Sequence, residues 1–391
     1  MAQTHTDLLL REAEHAASSL PGSERNIPSL DGLRAVSILL VLLAHSAWFL
    51  PRIITQSSPF RFIVGNGMHG VAVFFVISGY LISTLLLREL ASTHSISLRR
   101  FYFRRTLRIF PPYYAFLAVM GVLWAGHVIK LDLTSFVAAA TYTWACNPHA
   151  TSALLTHAWS LSIEELFYLL WPLCLLLLYP KRRTLHWTIG AILFFPVLRV
   201  ALYFLLPSLR GHEFYMVQGW ADTMLVGCLL ALARQHREFE DWHRRVLKGW
   251  VVALLGLVAF YLSPMVMSSL PKRGAGFYAN AINPSLVAMA TAVIVLYLIT
   301  RTQCTVARIL NHLILRHIGV LSYSLYLWQQ MFMTHHLHFY WLGYIYAFLA
   351  AETSFWLIER PSLRLRRKLE LRSSHRPRSY DVELARLRTL Q

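Results

Sequence analysis

Long apolar runs recur along almost the whole chain, and no other feature restricts the fold so strongly. Each run is close to the ~20 residues that a helix needs to cross a bilayer, and in lipid the backbone must satisfy its own hydrogen bonds. We therefore predict an all-α integral membrane protein, a polytopic bundle of about ten transmembrane helices. The predicted spans are 34–50, 70–87, 110–129, 161–179, 185–206, 215–233, 249–270, 282–300, 318–338 and 342–359.

One shorter apolar stretch, 131–158, ends at Asn147-Pro148 and is predicted to be re-entrant or interfacial. The composition agrees with a membrane protein, because 56% of the residues are hydrophobic and only 14% are charged. An ordinary soluble domain has about a quarter of its residues charged.

Lysine and arginine are distributed unevenly between the two sides of this bundle. With ten spans and an inside N-terminus, 30 of the 37 Lys and Arg residues fall in inside segments, 6 fall outside and Arg199 lies within a span. Positive residues accumulate on the cytoplasmic side, so we expect a multi-pass protein of the inner (cytoplasmic) membrane with both termini cytoplasmic. The net charge of +18 is then explained by anchoring to the cytoplasmic leaflet, and no nucleic-acid partner is expected.

The chain divides into three parts by composition. Residues 1–26 form a polar cytoplasmic segment without a signal peptide, 27–363 form the transmembrane domain, and 364–391 form a basic cytoplasmic tail predicted as surface helix or disorder. We expect no appended soluble domain. The four cysteines show no CxxC spacing, so neither a disulfide framework nor a zinc site is expected.

Arg34 and His45 lie in the first apolar run, eleven positions apart. Eleven helical steps of ~100° bring both side chains to one face, ~16 Å apart along the axis. Facing lipid, the pair would cost several kcal/mol, so a polar interior or cavity is favoured. The alternative is an arginine that reaches a lipid phosphate beside a structural core histidine. Asp31 is placed to pair with Arg34 and to act at the helix N-terminus.

Two further segments combine polar groups with helical spacing. Ser78-Gly79 lies near the centre of the second apolar run, where it allows either close helix packing, which we favour, or a ligand that uses the hydroxyl. Arg105 and Arg108 lie one helical turn apart among aromatic residues, so their guanidinium groups can converge on a phosphate. Simple positive-inside anchoring is the alternative for both arginines.

Acidic residues mark two other helices. Ser162 is predicted to cap the helix that begins near Trp159, with Glu164 and Glu165 in its first turn and pointing to different sides. Glu359 lies at the inner end of the last span and is predicted to pair with an arginine.

Taken together in this order, these segments resemble the acyltransferase 3 family, the integral-membrane O-acyltransferases of exported glycans and antibiotics. The resemblance covers residues 28–363 and concerns the membrane domain alone, without a fused SGNH-type domain. The matching segments are 31–34 with His45, 70–82, 105–113, 159–172, 322–328 and 358–361. Three positions depart from the family pattern: Leu166 replaces a common Gln, Gln329 a common His and Ala72 a frequent Asp. We assign no chemistry to Gln329.

The resemblance implies transfer of an acyl group, usually acetyl, from cytoplasmic acyl-CoA to a hydroxyl of a sugar-containing acceptor at or beyond the outer face. His45 is the expected general base, because imidazole titrates near neutral pH, and a transient acyl carrier is the second option. Glu164 or Glu165 would orient the acceptor or relay a proton. The expected substrate-binding residues are Asp31, Arg34, Ser78, Tyr80, Arg105, Arg108, Trp159, Ser162 and Tyr326.

The expected partners are acyl-CoA, a glycan, glycolipid or glycosylated small-molecule acceptor, and membrane lipids. The main alternative is a transporter or flippase of a polar or lipid-linked sugar, since intramembrane Arg and His also mark transport paths. No inverted repeat is visible between the two halves of the sequence. A sensor or scaffold would leave Arg34 and His45 unexplained. A metal site at His335, His336 and His338 is not expected, because no acidic residue or cysteine accompanies them.

Overall fold

The computed structural model describes residues 27–46, 53, 56–57, 67–178, 183–212, 215–333 and 341–374, and the regular structure within these ranges is helical throughout. The helices, in chain order, are α1 Pro28–His45, α2 Gly67–Thr93, α3 Leu98–Ala125, α4 Leu133–Ala140, α5 Ala158–Leu178, α6 Arg183–Leu205, α7 Ala221–Ala233, α8 Arg237–Val246, α9 Gly249–Ser269, α10 Lys272–Ala281, α11 Asn283–Thr300, α12 Thr305–Leu310, α13 Leu313–Phe332, α14 Leu342–Ser354 and α15 Arg360–Ser374.

The predicted class, an all-α integral membrane protein, is confirmed, whereas the count of about ten spans is not. Among the described residues, seven helices are long and apolar enough to cross a membrane: α1, α2, α3, α5, α6, α9 and the combined α10 and α11. Helices α7 and α14 have only 13 residues each. Helix α13 has 20 residues, but it is too polar to count as a span on hydropathy.

Helix α2 lies at the centre of the bundle and packs against α1, α7 and α11. Two glycines let α2 and α7 approach at backbone distance. A Cβ atom on Gly79 would lie 2.1 Å from the Met224 carbonyl oxygen, and one on Gly227 would lie 2.1 Å from the Val76 carbonyl oxygen. The packing role predicted for the Ser78-Gly79 step therefore belongs to Gly79, and the adjacent Ser78 is free for a polar contact.

Helices α6 and α9 are peripheral, since only 11% of the apolar window of each is buried. Most side chains of α6 are apolar and face outward, but Arg199 turns inward. It forms a bidentate ion pair with Asp222 on α7 at 2.7 and 3.0 Å. The same guanidinium donates to the Asn280 carbonyl and the Ser285 hydroxyl. A buried arginine that is fully paired in this way ties α6, α7 and α11 together.

The bundle has two ends. We call the end that carries Arg34, Arg105 and Arg108 the arginine end, and the opposite end, where α1 finishes at His45, the histidine end. The segment 131–158 folds at the histidine end as α4 and two short 3-10 turns, Trp144–Cys146 and Ala153–Leu155. Asp132 caps α4 by accepting from the Ser135 amide at 2.6 Å. Side chains of this segment are buried in the core.

Two π turns interrupt the regular α-helical structure of the described residues, and each is followed within two residues by a proline. Pro264 follows the turn Val258–Leu262 in α9, and Pro361 follows the turn Phe355–Glu359 that joins α14 to α15. Proline lacks the amide that continues the helical hydrogen bonds, and a π turn accommodates the mismatch. The second turn brings Glu359 into the interior.

Candidate active site

The first turns of α1 hold Asp31 and Arg34 at the arginine end. Pro28 occupies the first turn, where its missing amide costs nothing, and Ile27 provides no side-chain cap. Arg34 Nη1 lies 3.6 Å from Asp31 Oδ1, and both side chains are less than one-fifth exposed. Asp31 is thus a partner of Arg34, as predicted, and acts on the helix dipole from the first turn rather than as the cap.

Three guanidinium groups, those of Arg34, Arg108 and Arg316, interact with Asp31, and Arg105 interacts with Arg108. We call these four arginines the arginine cluster. Arg108 lies near enough to interact electrostatically with Asp31, Arg34 and Arg105, and Arg316 interacts with Asp31. Within the described part of the chain, the guanidiniums of Arg105, Arg108 and Arg316 make no hydrogen bond, and Arg316 Nε is buried without a partner. These unused donors are suited to a polyanion.

Arg316 was missed by sequence reasoning, which assigned it to general positive-inside charge. It lies on α13, and the structure brings it to the start of α1. Helix α12 precedes it, and the Leu310 carbonyl lies against Gly32. Beside this contact is an open depression of about 600 Å³ lined by Thr305, Arg308, Ile309, His312 and Leu315. Further basic groups are therefore available next to the arginine cluster.

A polar chain leads from the arginine cluster into the bundle. The Ser78 hydroxyl on α2 donates to Glu164 Oε1 on α5 at 2.7 Å. The Tyr168 hydroxyl donates to the same oxygen, and the Arg105 guanidinium lies 5.2 Å from the Tyr168 ring centroid. The charge of Glu164 also acts on Arg34. Ser78, Glu164, Arg34 and Arg105 thus form one site across four helices.

The two adjacent acids do point to different sides of α5. Glu165 lies near a group of tyrosines that includes Tyr113, Tyr142 and Tyr323. Tyr142, in the turn after α4, has its hydroxyl buried without a hydrogen-bond partner in the described structure. Burial, with the nearby tyrosines and Glu165, raises the pKa of Tyr142 well above its usual range, so the phenol stays protonated. Glu165 therefore has several tyrosine neighbours and also interacts with Arg105, whereas Glu164 accepts from Ser78 and Tyr168 and also interacts with Arg34.

The histidine end contains the second part of the site. His45 Nδ1 lies 2.8 Å from the Val41 carbonyl oxygen. A carbonyl can only accept, so Nδ1 carries the proton and Nε2 keeps its lone pair. His45 interacts electrostatically with His157, a buried residue just before α5. The two glutamates lie instead with the arginine cluster and the tyrosines.

Several predicted site residues have other partners. Tyr80 accepts a hydrogen bond from Arg234 Nη1 at 2.6 Å. Trp159 packs edge-on against Phe75 within an aromatic cluster that also contains Trp220. Tyr326 shares a hydrogen bond of 2.6 Å with Ser160. Tyr326 and Trp159 lie toward the histidine end, whereas Tyr80 contacts Arg234 on the far side of Ser78 along α2.

Three local predictions were wrong. Helix α5 begins at Ala158, so Ser162 is inside the helix and donates to the Ala158 carbonyl at 2.8 Å instead of capping. For the same reason the two glutamates lie in its second turn rather than its first. Glu359 makes no ion pair with an arginine within the described ranges. It accepts from Ser324 at 3.0 Å and interacts with Arg108 only at longer range.

No cluster of three or more His, Cys, Asp or Glu that could hold a metal ion is found in the ranges that the structure describes. His335, His336 and His338 lie outside those ranges. The four cysteines are free.

Comparison of the chain with known proteins identifies its family. Residues 27–366 match the model of the acyltransferase 3 family, described as an acyltransferase domain. The chain belongs to this family. The matched interval nearly coincides with the residues 28–363 that carry the sequence resemblance.

Curated relatives are similar over most of this chain. Peptidoglycan O-acetyltransferase OatA of Listeria monocytogenes is 27% identical over 330 residues, which are 80% of this chain and 50% of the relative. O-acetyltransferase OatA of Staphylococcus aureus is 27% identical over 368 residues, 87% of this chain and 57% of the relative. The chain thus spans about half the length of the curated relatives it matches. No solved structure matches the chain.

Proposed function

We propose that this protein is a membrane O-acyltransferase of the cytoplasmic membrane. It transfers an acyl group, most simply acetyl, from acyl-CoA at the arginine end to a hydroxyl of a sugar-containing acceptor that enters from the histidine end. The observation that carries the proposal is the difference between the two ends of α1. Its first turns lie beside the arginine cluster, in which Arg105, Arg108 and Arg316 have unused donors, and its last turn holds the free Nε2 of His45. The arginine end faces the cytoplasm, with 1–26 and 364–391 on that side.

Acyl-CoA fits this division by its chemistry. Its phosphates need several cationic donors, which the arginine cluster supplies, and Arg308 and His312 add basic groups in the adjoining depression. Its long uncharged arm separates the phosphates from the thioester, as the ~16 Å along α1 separates Arg34 from His45. Ser78 and Glu164 lie between helices on the arginine side, and we assign them to the donor rather than to the acceptor.

The reaction requires a base at the histidine end. An alcohol attacks a thioester efficiently at neutral pH only when its proton is removed, and the Nε2 lone pair of His45 can accept that proton. Trp159 and Tyr326 are proposed to contact the acceptor. Glu165, among its tyrosines, is proposed to orient the acceptor or to relay a proton. The relatives include a peptidoglycan O-acetyltransferase, which supports a glycan as acceptor.

The test is transfer of radiolabelled acetyl from acetyl-CoA to soluble peptidoglycan fragments by the purified full-length protein in liposomes. His45→Ala is expected to abolish transfer while the protein still inserts and keeps its thermal unfolding profile, because the variant lacks the Nε2 lone pair that is proposed to accept the proton. The control is His149→Ala, which removes an exposed imidazole at the same end. Near-normal turnover by a well-folded His45→Ala protein would contradict the assignment. Movement of glycan across the liposome without acylation would favour the transporter.

A further inference from the structure

His157 is a buried imidazole whose ring has no polar partner. It is 3% exposed, and neither Nδ1 nor Nε2 makes a hydrogen bond within the described structure. A neutral imidazole carries one donor and one acceptor, and leaving both unused in a buried place is costly. Buried polar groups are almost always hydrogen-bonded, so an exception suggests a ligand that is bound during function.

The position of His157 is fixed by its own backbone and by aromatic neighbours. Its carbonyl accepts from the Ser160 hydroxyl at 3.0 Å and from the Tyr326 hydroxyl at 3.4 Å. Its ring meets Phe116 and Tyr326 edge-on, with centroids 5.3 and 5.7 Å away. The neighbours therefore hold the ring in place but leave its nitrogen atoms unused, which is an arrangement suited to a preorganised donor.

His157 also lies near enough to the proposed base to interact with it electrostatically. His45 is the titratable group whose charge is felt at His157, which places two imidazoles from α1 and from the entry to α5 at the same end of the bundle. Burial, with a smaller contribution from the charge of His45, lowers the pKa of His157 to about 3. His157 therefore stays neutral at physiological pH and keeps one N–H to donate.

We infer that His157 is a second catalytic residue, which donates a hydrogen bond to the carbonyl oxygen of the acyl group while His45 takes the proton of the acceptor hydroxyl. This inference rests on the proposed function. It assigns different tasks to the two imidazoles: the one with the free Nε2 acts as base, and the one without polar partners stabilises negative charge.

The proposed acyl transfer has only the thioester and the alcohol as reactants. The acceptor oxygen forms a bond to the thioester carbonyl carbon, its proton passes to His45 Nε2, and the carbonyl electron pair moves to the oxygen that His157 N–H contacts. The carbonyl then re-forms, the carbon–sulfur bond breaks, and the leaving thiolate takes the proton from His45. The products are an ester and the free thiol of CoA.

The test compares three replacements of His157 in the full-length protein in liposomes, with acetyl-CoA and soluble peptidoglycan fragments. His157→Phe and His157→Ala remove the donor and are expected to lower kcat by about 10²–10³-fold, with the KM for acetyl-CoA changed by no more than about twofold. His157→Gln retains an N–H and is expected to stay within about tenfold of the parent protein. His149→Ala is the control and should leave kcat unchanged.

If His157 were purely structural, the kcat values of the Phe and Gln variants would have the opposite order. His157→Phe would preserve packing and keep kcat, whereas His157→Gln would lose it, and this result overturns the inference while leaving the proposed function intact. If His157→Ala does not fold, the comparison of the Phe and Gln variants decides. Absence of transfer to glycan and of thioester hydrolysis by the parent protein overturns both proposals.

Discussion

At the scale of single residues, the partners of an arginine decide whether its guanidinium can bind a phosphate. Arg104 and Arg108 are both arginines of α3, one helical turn apart, and their surroundings differ. Arg104 donates to Glu370 on α15 at 2.8 Å, whereas the Arg108 guanidinium makes no hydrogen bond to the described part of the chain. Arg105 lies against the rings of Phe101 and Tyr168. Only the arginines with unused donors are candidates for a phosphate.

This difference predicts the effect of replacing arginine by lysine. Arg105→Lys and Arg108→Lys are each expected to weaken acyl-CoA binding despite the retained charge, because lysine cannot make a bidentate contact. Each lost charge-assisted contact should cost roughly 1.5–3 kcal/mol, or about tenfold or more in affinity. Calorimetric titration of the detergent-solubilised protein with CoA measures this loss.

Arg104→Lys is the matched control and should bind CoA as the parent protein does, since Arg104 is already paired. Unchanged affinity in both the Arg105 and the Arg108 variant would indicate that these residues serve only as positive-inside membrane anchors.

At the scale of the helices, the contact between α2 and α7 holds the centre of the bundle. Its two glycines are opposed, and each lies against the backbone of the other helix, so no side chain can be added at either position without separating them. Ser78 is next to this contact, and the position of its hydroxyl against Glu164 depends on it. Packing at Gly79 thus supports the polar site.

Gly79→Ala and Gly227→Ala are expected to destabilise the protein by about 1–3 kcal/mol or more, because a Cβ would overlap a backbone carbonyl. Thermal unfolding in detergent measures the loss. Gly190→Ala on α6 is the control, since nothing lies within 4 Å of its Cβ position and alanine favours the helix. An unchanged unfolding temperature in both interface variants would show that α2 and α7 do not pack so closely.

At the scale of the whole molecule, the two ends of the bundle differ in charge. The arginine end gathers the basic segments between helices and the basic helix α15, whereas the histidine end carries the largely uncharged segment 131–158. This asymmetry is the reason for placing the arginine end in the cytoplasm. The donor and the acceptor would then reach one protein from opposite sides of the membrane.

Two native cysteines test this orientation. Cys146 is exposed at the histidine end, and Cys304 lies at the arginine end. In single-cysteine variants on intact cells, a membrane-impermeant maleimide is expected to label Cys146 and to label Cys304 only after permeabilisation. An Arg367→Cys variant should behave as Cys304 does. Labelling of Arg367→Cys from outside would overturn the proposed topology.

The sequence alone determined the class of the protein and its family. Apolar runs of the length of a bilayer can fold only as helices in lipid, and the order of short motifs at 31–34, 70–82, 105–113 and 159–172 carries the family resemblance. Helical periodicity also predicted correctly that Asp31 pairs with Arg34 and that the two glutamates of α5 point apart. These are properties of one helix, which local spacing fixes.

Only the tertiary structure decided which residues meet across helices. It brought Arg316 to Asp31, joined Ser78 to Glu164, and placed His157 at the same end as His45, although these partners are far apart in sequence. It also moved the start of α5 to Ala158, which removed Ser162 from its predicted capping role. Contacts between helices depend on packing and on which polar groups remain without a local partner, and no periodicity within a single segment records either.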